Sequence, residues 1–308
     1  MACNQGCFGN LYVSGYVRCV HNPAASNEKD LGMGTVRMAE LKKKVIVVGG
    51  GPAGMKVAEI AARRGHQVTI YEKDVEVGGQ VRLLQKGPKK EDFGEITHWL
   101  EIQLGKLGVN IITNVEATPQ TIESEKPDVV VIATGARLAK PPSILGAEQD
   151  NVITTWDVLR GNAEIGQTVL VYCNWGTKAA ASAAELLADQ GKQVKIVTPG
   201  PAFGMDLPPG LMVPLYQRLV EKRVVFIPFS AIGRIQDNTV TLLNVFSRQP
   251  QEQTGIDTVV LSTPAKANDT LYFALKGQTA ELYRIGDSVA PRDVDAAIYE
   301  GEIVGRLL

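Results

Sequence analysis

The stretch Lys44–Asp74 constrains the fold most, because it predicts a strand, a tight glycine turn, a helix and a second strand in immediate succession. Val45–Val48 is a run of β-branched residues, as expected for a strand that is buried on both faces. Gly49, Gly51 and Gly54 follow in the spacing G-x-G-x-x-G. The first glycine permits the turn, the second lets the backbone approach a pyrophosphate, and the third lets the helix pack on the strand. The stretch therefore predicts a parallel α/β sheet that binds a dinucleotide.

An acidic residue at the end of the second predicted strand supports this interpretation. Glu72 lies 18 residues after Gly54, where its carboxylate can accept hydrogen bonds from a ribose diol. The free N–H groups at the start of the helix, near Pro52 and Ala53, face the phosphates together with the positive end of the helix dipole. Lys73, next to the acid, completes the candidate contacts of this stretch. A glycine-rich turn without a ligand would explain the turn but not Glu72.

Length and charge limit the classes of protein to which the chain can belong. With 308 residues, 44% of them hydrophobic, the chain is long enough for two domains with their own cores. A net charge of −1 gives no electrostatic argument for nucleic acid or for a membrane surface. No apolar run approaches the roughly 18 residues that a membrane span needs, and the polar, glycine-rich N-terminus is unlike a signal peptide. We therefore expect a cytoplasmic protein whose partners include neither nucleic acid nor a membrane.

Three of the four cysteines lie within the first 19 residues, as Cys3, Cys7 and Cys19 in the spacing C-x3-C-x11-C. Clustered thiolates on a tight loop suit an iron–sulfur cluster, which needs several soft ligands that converge on one centre. Zinc and unliganded thiols are the alternatives, whereas a disulfide framework does not suit a reducing compartment. His21, two residues after the last of these cysteines, is expected to be a loop residue rather than a ligand.

A family resemblance appears at the same residues. CNQGCFGNLYVSGYVRCVHNPAAS, followed by KVIVVGGGPAGMKVAE, resembles the iron–sulfur flavoenzymes related to 2,4-dienoyl-CoA reductase and trimethylamine dehydrogenase. In that family an FMN-binding barrel precedes a four-cysteine 4Fe–4S motif and a two-part dinucleotide-binding region. The resemblance covers essentially all of the chain, but only the part of the family downstream of the barrel.

The resemblance implies an incomplete cluster. The reductase branch has the pattern C-x2-C-x3-C-x11-C, and Cys3, Cys7 and Cys19 match its last three ligands. The first ligand would fall one position before Met1. We therefore expect the chain to be a fragment or a subunit whose partner carries FMN.

The resemblance also implies further contacts with FAD, or with ADP, which occupies the matching site in the amine-dehydrogenase branch. Gly79 and Gln80 resemble part of a second glycine segment that passes close to the flavin nucleotide, and Arg82 is either a phosphate contact or a solvated side chain. A helix that starts near the flavin would favour negative charge on the reduced ring. The remaining matched positions are Val115 near the adenine, Ala133, Thr134 and Gly135 as an A-T-G motif, Gly286 and Asp287 near the ribityl and phosphate part, and Val294 at the start of that helix.

A second strand–turn–helix–strand pattern begins at Thr168–Tyr172. Its turn contains one glycine, Gly176, where three would be expected, and the next strand ends in Thr198-Pro199, with neither an acid for a ribose diol nor an arginine for a 2′-phosphate. Two hypotheses remain open: a divergent NAD(P)H site, or a domain that keeps the fold but not the ligand. The turn chemistry favours the second hypothesis, and the amine-dehydrogenase branch, which passes electrons to an electron-transferring flavoprotein, shows that condition.

We therefore predict an α/β protein with two Rossmann-like dinucleotide-binding domains, one inserted in the other, preceded by a cysteine-rich iron–sulfur arm. The predicted boundaries are residues 1–40 for the arm, 41–150 plus 265–308 for the FAD-binding domain, and 151–264 for the second domain. No catalytic side chain is predicted, because no Ser–His–Asp or paired-carboxylate pattern is present and the cofactors would do the chemistry.

The predicted function is that of an oxidoreductase. The chain would be the FAD- or ADP-binding electron-transfer part of an iron–sulfur flavoenzyme, passing electrons between a 4Fe–4S cluster with its FMN barrel and an external carrier. One alternative is an NAD(P)H-dependent enoate reductase module of the 2,4-dienoyl-CoA type. Another is a nucleotide-binding docking subunit without a redox role. The expected partners are an FMN-binding barrel domain or subunit, an electron-transferring flavoprotein, and further copies of the chain in an oligomer.

Overall fold

The structure is a computed structural model that describes residues 3–13, 15, 17–138, 140–141, 143–174, 177–207 and 209–308. Its backbone contacts divide the chain into two compact units. Unit 1 comprises Met1–Gln85, Asp92–Arg137 and Lys266–Leu308, and unit 2 comprises Lys86–Glu91 and Leu138–Ala265. The boundary between the first domain and the inserted one therefore falls at residues 137–138, earlier than the expected position near 150. The short segment 86–91 also belongs to unit 2.

Helices and strands alternate through both units, which confirms the predicted α/β fold. The helices are α1 (Asn10–Val13), α2 (Glu28–Leu31), α3 (Pro52–Arg63), α4 (Val81–Leu84), α5 (Gly94–Lys106), α6 (Pro119–Glu125), α7 (Thr155–Arg160), α8 (Lys178–Asp189), α9 (Pro209–Glu221), α10 (Thr270–Leu275) and α11 (Val294–Leu307). A π-helical turn covers Gln5–Gly9, and 3-10 turns cover Met33–Thr35, Glu91–Phe93 and Gly286–Ser288.

The strands fall into two parallel sheets, one in each unit, and two smaller antiparallel pairings. They are β1 (Lys44–Val48), β2 (Gln67–Tyr71), β3 (Asn110–Ile112), β4 (Val129–Ile132), β5 (Ala136–Arg137), β6 (Val152–Thr154), β7 (Thr168–Cys173), β8 (Gln193–Val197), β9 (Val225–Ile227), β10 (Ser230–Gln236), β11 (Thr239–Asn244), β12 (Pro250–Thr254), β13 (Thr258–Ser262), β14 (Lys266–Ala267) and β15 (Glu281–Arg284).

The parallel sheet of unit 1 has the strand order β15-β4-β1-β2-β3. β1 is central, with Val47 opposite Ile70 of β2 and Val131 of β4. Its apolar residues are buried on both faces, as the β-branched run predicts for a parallel sheet. The carboxyl ends of β1, β2, β4 and β15 therefore share one edge, where open α/β sheets bind ligands.

Unit 2 has its own parallel sheet, in the order β6-β13-β7-β8-β9, and a separate antiparallel sheet, β10-β11-β12. Helix α8 packs on the parallel sheet through Ala180, Ala183, Ala184 and Leu187, which are fully buried. The polar composition of residues 247–255 would suit a loop, but β12 lies there and pairs with β11. The polar side chains of β12 are largely exposed, so their composition is that of an edge strand rather than of a loop.

The N-terminal residues pack within unit 1 rather than as a separate arm. Gly6 makes a close backbone approach, since a Cβ there would lie 2.9 Å from the carbonyl oxygen of Arg18. The amide of Arg18 donates to the carbonyl of Gly6 at 2.7 Å, and Val20 is buried in the unit 1 core. This closure brings the segment around Cys7 next to the segment around Cys19. In the part of the chain that the structure describes, no helix is both long enough and apolar enough to span a bilayer.

Candidate functional site

In the turn after β1, packing within the protein requires a glycine at two of the three fingerprint positions. Gly49 has a φ of 106°, and a Cβ on it would lie 2.3 Å from the carbonyl oxygen of Ala133. A Cβ on Gly54 would lie 1.9 Å from the carbonyl oxygen of Gly49. Neither space can hold a side chain, so packing between β1, β4 and α3 is enough to explain these glycines.

Gly51 is different, because nothing in the protein requires a glycine there. Its φ of −75° is open to any residue. Among the described residues, the nearest heavy atom to a Cβ placed on it is the Cα of Gly79, at 3.9 Å. Gly51 lies at the N-terminus of α3, where helical N–H groups favour an anion. The free space beside this backbone fits a phosphate that must come closer than a side chain would allow.

Glu72 closes the glycine turn as well as ending β2. The residue is buried, and its Oε2 accepts from the amide of Gly50 at 2.7 Å while its Oε1 accepts from the amide of Asp74 at 2.9 Å. The amide of Val115 donates to the backbone carbonyl of Glu72 at 3.0 Å, so the predicted adenine-side segment does lie next to this acid. Each carboxylate oxygen keeps a second lone pair for a further donor.

A second group of predicted residues lies against the same turn. Gly79 has a φ of 53°, and a Cβ on it would lie 3.0 Å from the Cα of Gly51. The side-chain amide of Gln80 donates to Oδ2 of Asp287 at 3.0 Å, and the same amide nitrogen lies 3.7 Å from a Cβ placed on Gly135. The other oxygen of Asp287 accepts from the amide of Arg292 at 3.0 Å. Burial raises the pKa of Asp287.

The A-T-G motif and the C-terminal helix complete this edge. The hydroxyl of Thr134 donates to the carbonyl of Asn268, and the amide of Asn268 donates to the carbonyl of Gly135 at 2.9 Å. Helix α11 begins at Val294, as predicted, and packs on α3. The left-handed Gly286 lies against the second residue of α3, since a Cβ there would be 2.9 Å from that of Ala53.

Two of the predicted contacts lie elsewhere. Lys73 is exposed after the end of β2. The guanidinium of Arg82 pairs with the carboxylate of Glu76 at 2.9 Å and donates to its backbone carbonyl at 3.3 Å. Arg82 therefore already has an acidic partner, and the structure does not aim it at the glycine turn.

The three N-terminal thiols line one cavity of about 370 Å³. Cys3, Cys7 and Cys19 share it with His21 and with Ile96 of α5. Burial raises the pKa of the Cys3 thiol, and the neighbouring thiols raise it further. Among the described residues, no group of three or more His, Cys, Asp or Glu side chains could hold a metal ion as placed. The three thiols therefore share one cavity without forming a site for a single metal ion as placed.

His21 lies in a loop, as predicted, and its surroundings are distinctive. It lines the thiol cavity, and its ring meets Trp99 edge to face with the centroids 5.2 Å apart. Burial lowers the pKa of His21, and the ammonium of Lys56 lowers it further. The position of His21 two residues after Cys19 was the available signal, but a residue close in sequence need not face the same cavity.

The turn after β7 in unit 2 is built differently. Trp175 and Gly176, on which the prediction of a poor dinucleotide turn depends, lie outside the described residues. The amide of Thr177 donates to the sulfur of Cys173 at 3.0 Å, and Cys173 is fully buried, as expected of a small core residue. The amide of Lys178, the first residue of α8, donates to Oδ1 of Asp206 at 2.7 Å. A carboxylate of the chain itself therefore occupies the N-terminus of α8.

The parallel sheet, the glycine turn and the acid at the end of β2 define unit 1 as an α/β protein of the dinucleotide-binding class. The family model described as pyridine nucleotide-disulphide oxidoreductase matches residues 43–287. The chain therefore belongs to this family.

Individual relatives agree. The chain is 34% identical to an N,N-dimethylglycine/sarcosine dehydrogenase of Chromohalobacter salexigens, over 96% of this chain and 48% of that protein. It is 33% identical to a probable N-methylproline demethylase of Rhizobium meliloti, over 96% of this chain and 47% of that protein. A solved structure of 2-naphthoyl-CoA reductase with 2-naphthoyl-CoA superposes with a TM-score of 0.92 and 33% identity, covering 100% of this chain and 46% of that chain.

These matches confirm the resemblance to the C-terminal part of the iron–sulfur flavoenzyme family, and the chain is an oxidoreductase module of the FAD-binding type. The chain spans about half the length of the curated relatives that it matches.

Proposed function

We propose that the chain binds FAD at the carboxyl edge of the unit 1 sheet and forms the electron-transfer part of an iron–sulfur flavoenzyme. The observation that carries the proposal is the free space beside Gly51. Packing explains the other two fingerprint glycines, whereas none of the described residues requires a glycine at this position. A pyrophosphate that contacts the N-terminus of α3 supplies the reason.

The residues around this space have complementary tasks. The amides at the start of α3 would bind the pyrophosphate, and Glu72 would accept from the adenosine ribose with lone pairs that its backbone bonds leave available. Asp287, oriented by Gln80 and by the amide of Arg292, would accept from the ribityl part. Bound FAD supplies hydride and electron transfer. The N-terminus of α11 would place positive partial charge beside it, which favours a negatively charged reduced ring.

The thiol cavity fits the second cofactor. Cys3, Cys7 and Cys19 would each bind one iron of a 4Fe–4S cluster, since thiolates are the usual ligands and the three line one cavity. The expected partners are an FMN-binding barrel, as a domain or a subunit, and an electron-transferring flavoprotein as the external carrier. Oligomerisation also remains an expectation. The dehydrogenase and the probable demethylase, which each match 96% of this chain, support the oxidoreductase role.

A second candidate is an NAD(P)H-dependent enoate reductase module. The family match and the superposition on 2-naphthoyl-CoA reductase favour it. The N-terminus of α8 argues against it, because the carboxylate of Asp206 lies where a pyrophosphate would bind in unit 2. A third candidate, a docking subunit that holds ADP and transfers no electrons, predicts nucleotide without flavin.

The test compares two glycine variants. Gly51→Val is expected to fold and to lose bound FAD, because its side chain enters space that is free of protein. Gly105→Val is the matched control, since no atom lies within 4 Å of a Cβ on that exposed glycine of α5. Flavin absorbance after purification and its bleaching by dithionite are the measurements.

The outcomes separate the candidates. Wild-type FAD content in Gly51→Val would show that the cofactor binds elsewhere. Purified wild-type protein with adenine nucleotide but no flavin band would favour the docking subunit. A band that dithionite bleaches in wild type and in Gly105→Val, but that is missing from Gly51→Val, supports the proposal.

A further inference from the structure

His21 is held at the thiol cavity by structured neighbours on both sides of it in the chain. Val20, the residue before it, is 1% exposed and belongs to the unit 1 core. Asn22, the residue after it, begins a turn. Its side-chain oxygen accepts from the amide of Ala24 at 3.1 Å, and its carbonyl accepts from the amide of Ala25 at 3.1 Å. The imidazole therefore lines the cavity from a fixed segment of backbone.

The Nδ1 atom of His21 is buried and has no hydrogen-bond partner among the residues that the structure describes. Native proteins rarely keep such an atom unless a water, an ion or a ligand satisfies it. The ring also meets Trp99 edge to face, at an interplanar angle of 75°, which limits the other directions in which it can turn. The partner of Nδ1 is therefore expected in the cavity that the ring lines.

The thiols of the same cavity determine the chemistry of this partner. Cys3, Cys7 and Cys19 are thiolates when they bind a cluster, and the cluster adds its own sulfides. These sulfurs carry lone pairs and negative charge but no proton. An imidazole nitrogen that faces them can therefore only donate, and Nδ1 carries a proton in the imidazolium and in one of the two neutral tautomers.

We propose that His21 donates an N–H···S hydrogen bond from Nδ1 to a sulfur of the iron–sulfur cluster and so tunes its reduction potential. The inference rests on the proposed cluster and leaves its four-cysteine ligation unchanged, since the imidazole binds no iron and the remaining ligand of the family pattern falls just before Met1. An added electron makes the sulfurs more negative and strengthens the bond, so the bond raises the reduction potential. The proton stays on the nitrogen in both oxidation states.

The experiment uses the native protein, purified anaerobically with its cluster and with the polypeptide that carries the remaining cysteine ligand. His21→Leu removes the donor. His21→Asn places an amide nitrogen one bond from Cγ, where Nδ1 lies, whereas His21→Gln places it one bond further along, nearer to Nε2. His98→Leu, which removes an exposed histidine of α5, is the matched control.

The readouts are iron and sulfide per chain, the reduction potential of the cluster, and pulsed electron paramagnetic resonance of the reduced cluster in protein labelled with ¹⁵N-histidine and exchanged into D₂O. All variants should keep their iron and sulfide. Wild type and His98→Leu should share one potential and show weak couplings to a histidine nitrogen and to an exchangeable deuteron. His21→Leu should lose both couplings and have a lower potential. His21→Asn should restore the potential towards that of wild type more fully than His21→Gln does.

The two proposals fail in different ways. A full cluster whose potential and couplings are the same in wild type and in His21→Leu overturns the hydrogen bond and leaves the proposed cluster standing. A strong nitrogen coupling in wild type, with loss of iron in His21→Leu, would show a bond to iron and would also overturn it. A lower potential in His21→Leu without any histidine coupling in wild type assigns the shift to altered packing and counts against the donor. Protein without iron and sulfide overturns the cluster, and the hydrogen bond with it.

Discussion

The two parallel sheets use the same strand–turn–helix–strand order, but they treat the start of the helix in opposite ways. α3 and α8 each have 12 residues and follow a buried strand. The N-cap of α3 is Gly51, beside space free of protein, whereas the first amide of α8 is bonded to the carboxylate of Asp206. The first helix start is open to an external anion, and the second already holds an internal one.

Each of the two helices also contains a buried glutamate that forms ion pairs, but the cations come from different parts of the chain. Glu59 and Glu185 each occupy the eighth position of their helix, counted from Pro52 and from Lys178. In α3 the cations are Lys56 and Arg63, both residues of the same helix.

Ser182 replaces that lysine in α8, and the ammonium of Lys90 from the segment Lys86–Glu91 contacts its hydroxyl. Glu185 is paired instead with Arg218, at 2.6 Å, and with Lys222, at 2.9 Å. The same architecture thus tolerates different sources of cations for a buried acid at the same helix position.

The largest expected effect is on the ion network of α3. Lys56→Met should lower the free energy of unfolding by about 2–3 kcal/mol, because it removes the buried cation that Glu59 and Glu302 share. Each carboxylate then keeps one arginine partner, Arg63 for Glu59 and Arg306 for Glu302. Guanidinium unfolding is the measurement.

Lys106→Met, on an exposed position of α5, is the control and should change stability by about 0.5 kcal/mol or less. Lys90→Met should also lower the free energy of unfolding by less than Lys56→Met does. The described partner of the Lys90 ammonium is the hydroxyl of Ser182 rather than a carboxylate. Equal losses for Lys56→Met and Lys90→Met would erase the contrast between the two helices.

An intermediate effect is expected at the α8 start. Wild-type protein should bind NADH and NADPH weakly, and Asp206→Asn should tighten both by about threefold to tenfold, on the order of 1 kcal/mol. The amide side chain can still accept from the Lys178 amide, so the change removes a charge and keeps the cap.

Titration calorimetry measures this effect, and Asp237→Asn, at an exposed turn, is the control. Low-micromolar binding by the wild type would show that Asp206 does not block the site, and the reductase assignment would become the leading one.

The smallest effect is a pH dependence. Burial, together with the charge of Lys178, lowers the pKa of Lys90 to about 8, although Asp206 and Glu185 act in the opposite sense. Between about pH 8, the pKa of Lys90 in the folded protein, and its ordinary value of 10.5, the unfolded chain binds more protons than the folded one. The free energy of unfolding should therefore rise with pH above about 8.

Thermal midpoints from about pH 7.5 to 9.5 measure this rise. The range stops below the titration of the buried tyrosines Tyr71 and Tyr172, whose pKa values burial raises to about 12. Lys90→Met should flatten the rise, and an unchanged slope in that variant would assign it to other groups.

Much of unit 1 was predictable because its signals are local. The β-branched run, the three glycines and Glu72 predicted β1, the turn, α3 and β2 nearly residue by residue, and Val294 was placed correctly at the start of α11. The exposed strand β12 was not predictable from its polar composition, because an edge strand is defined by the neighbour that it pairs with.

The sequence by itself determined the fold class, the family and the glycine turn, because strand periodicity and the spacing of glycines are properties of neighbouring residues. Only the tertiary structure decided which groups face one another: Gln80 with Asp287, Arg82 with Glu76, Asp206 with the start of α8, and His21 with the cysteines. These pairings join residues from separate elements or opposite sides of a turn. Their distances depend on how the chain packs, and no local pattern records that.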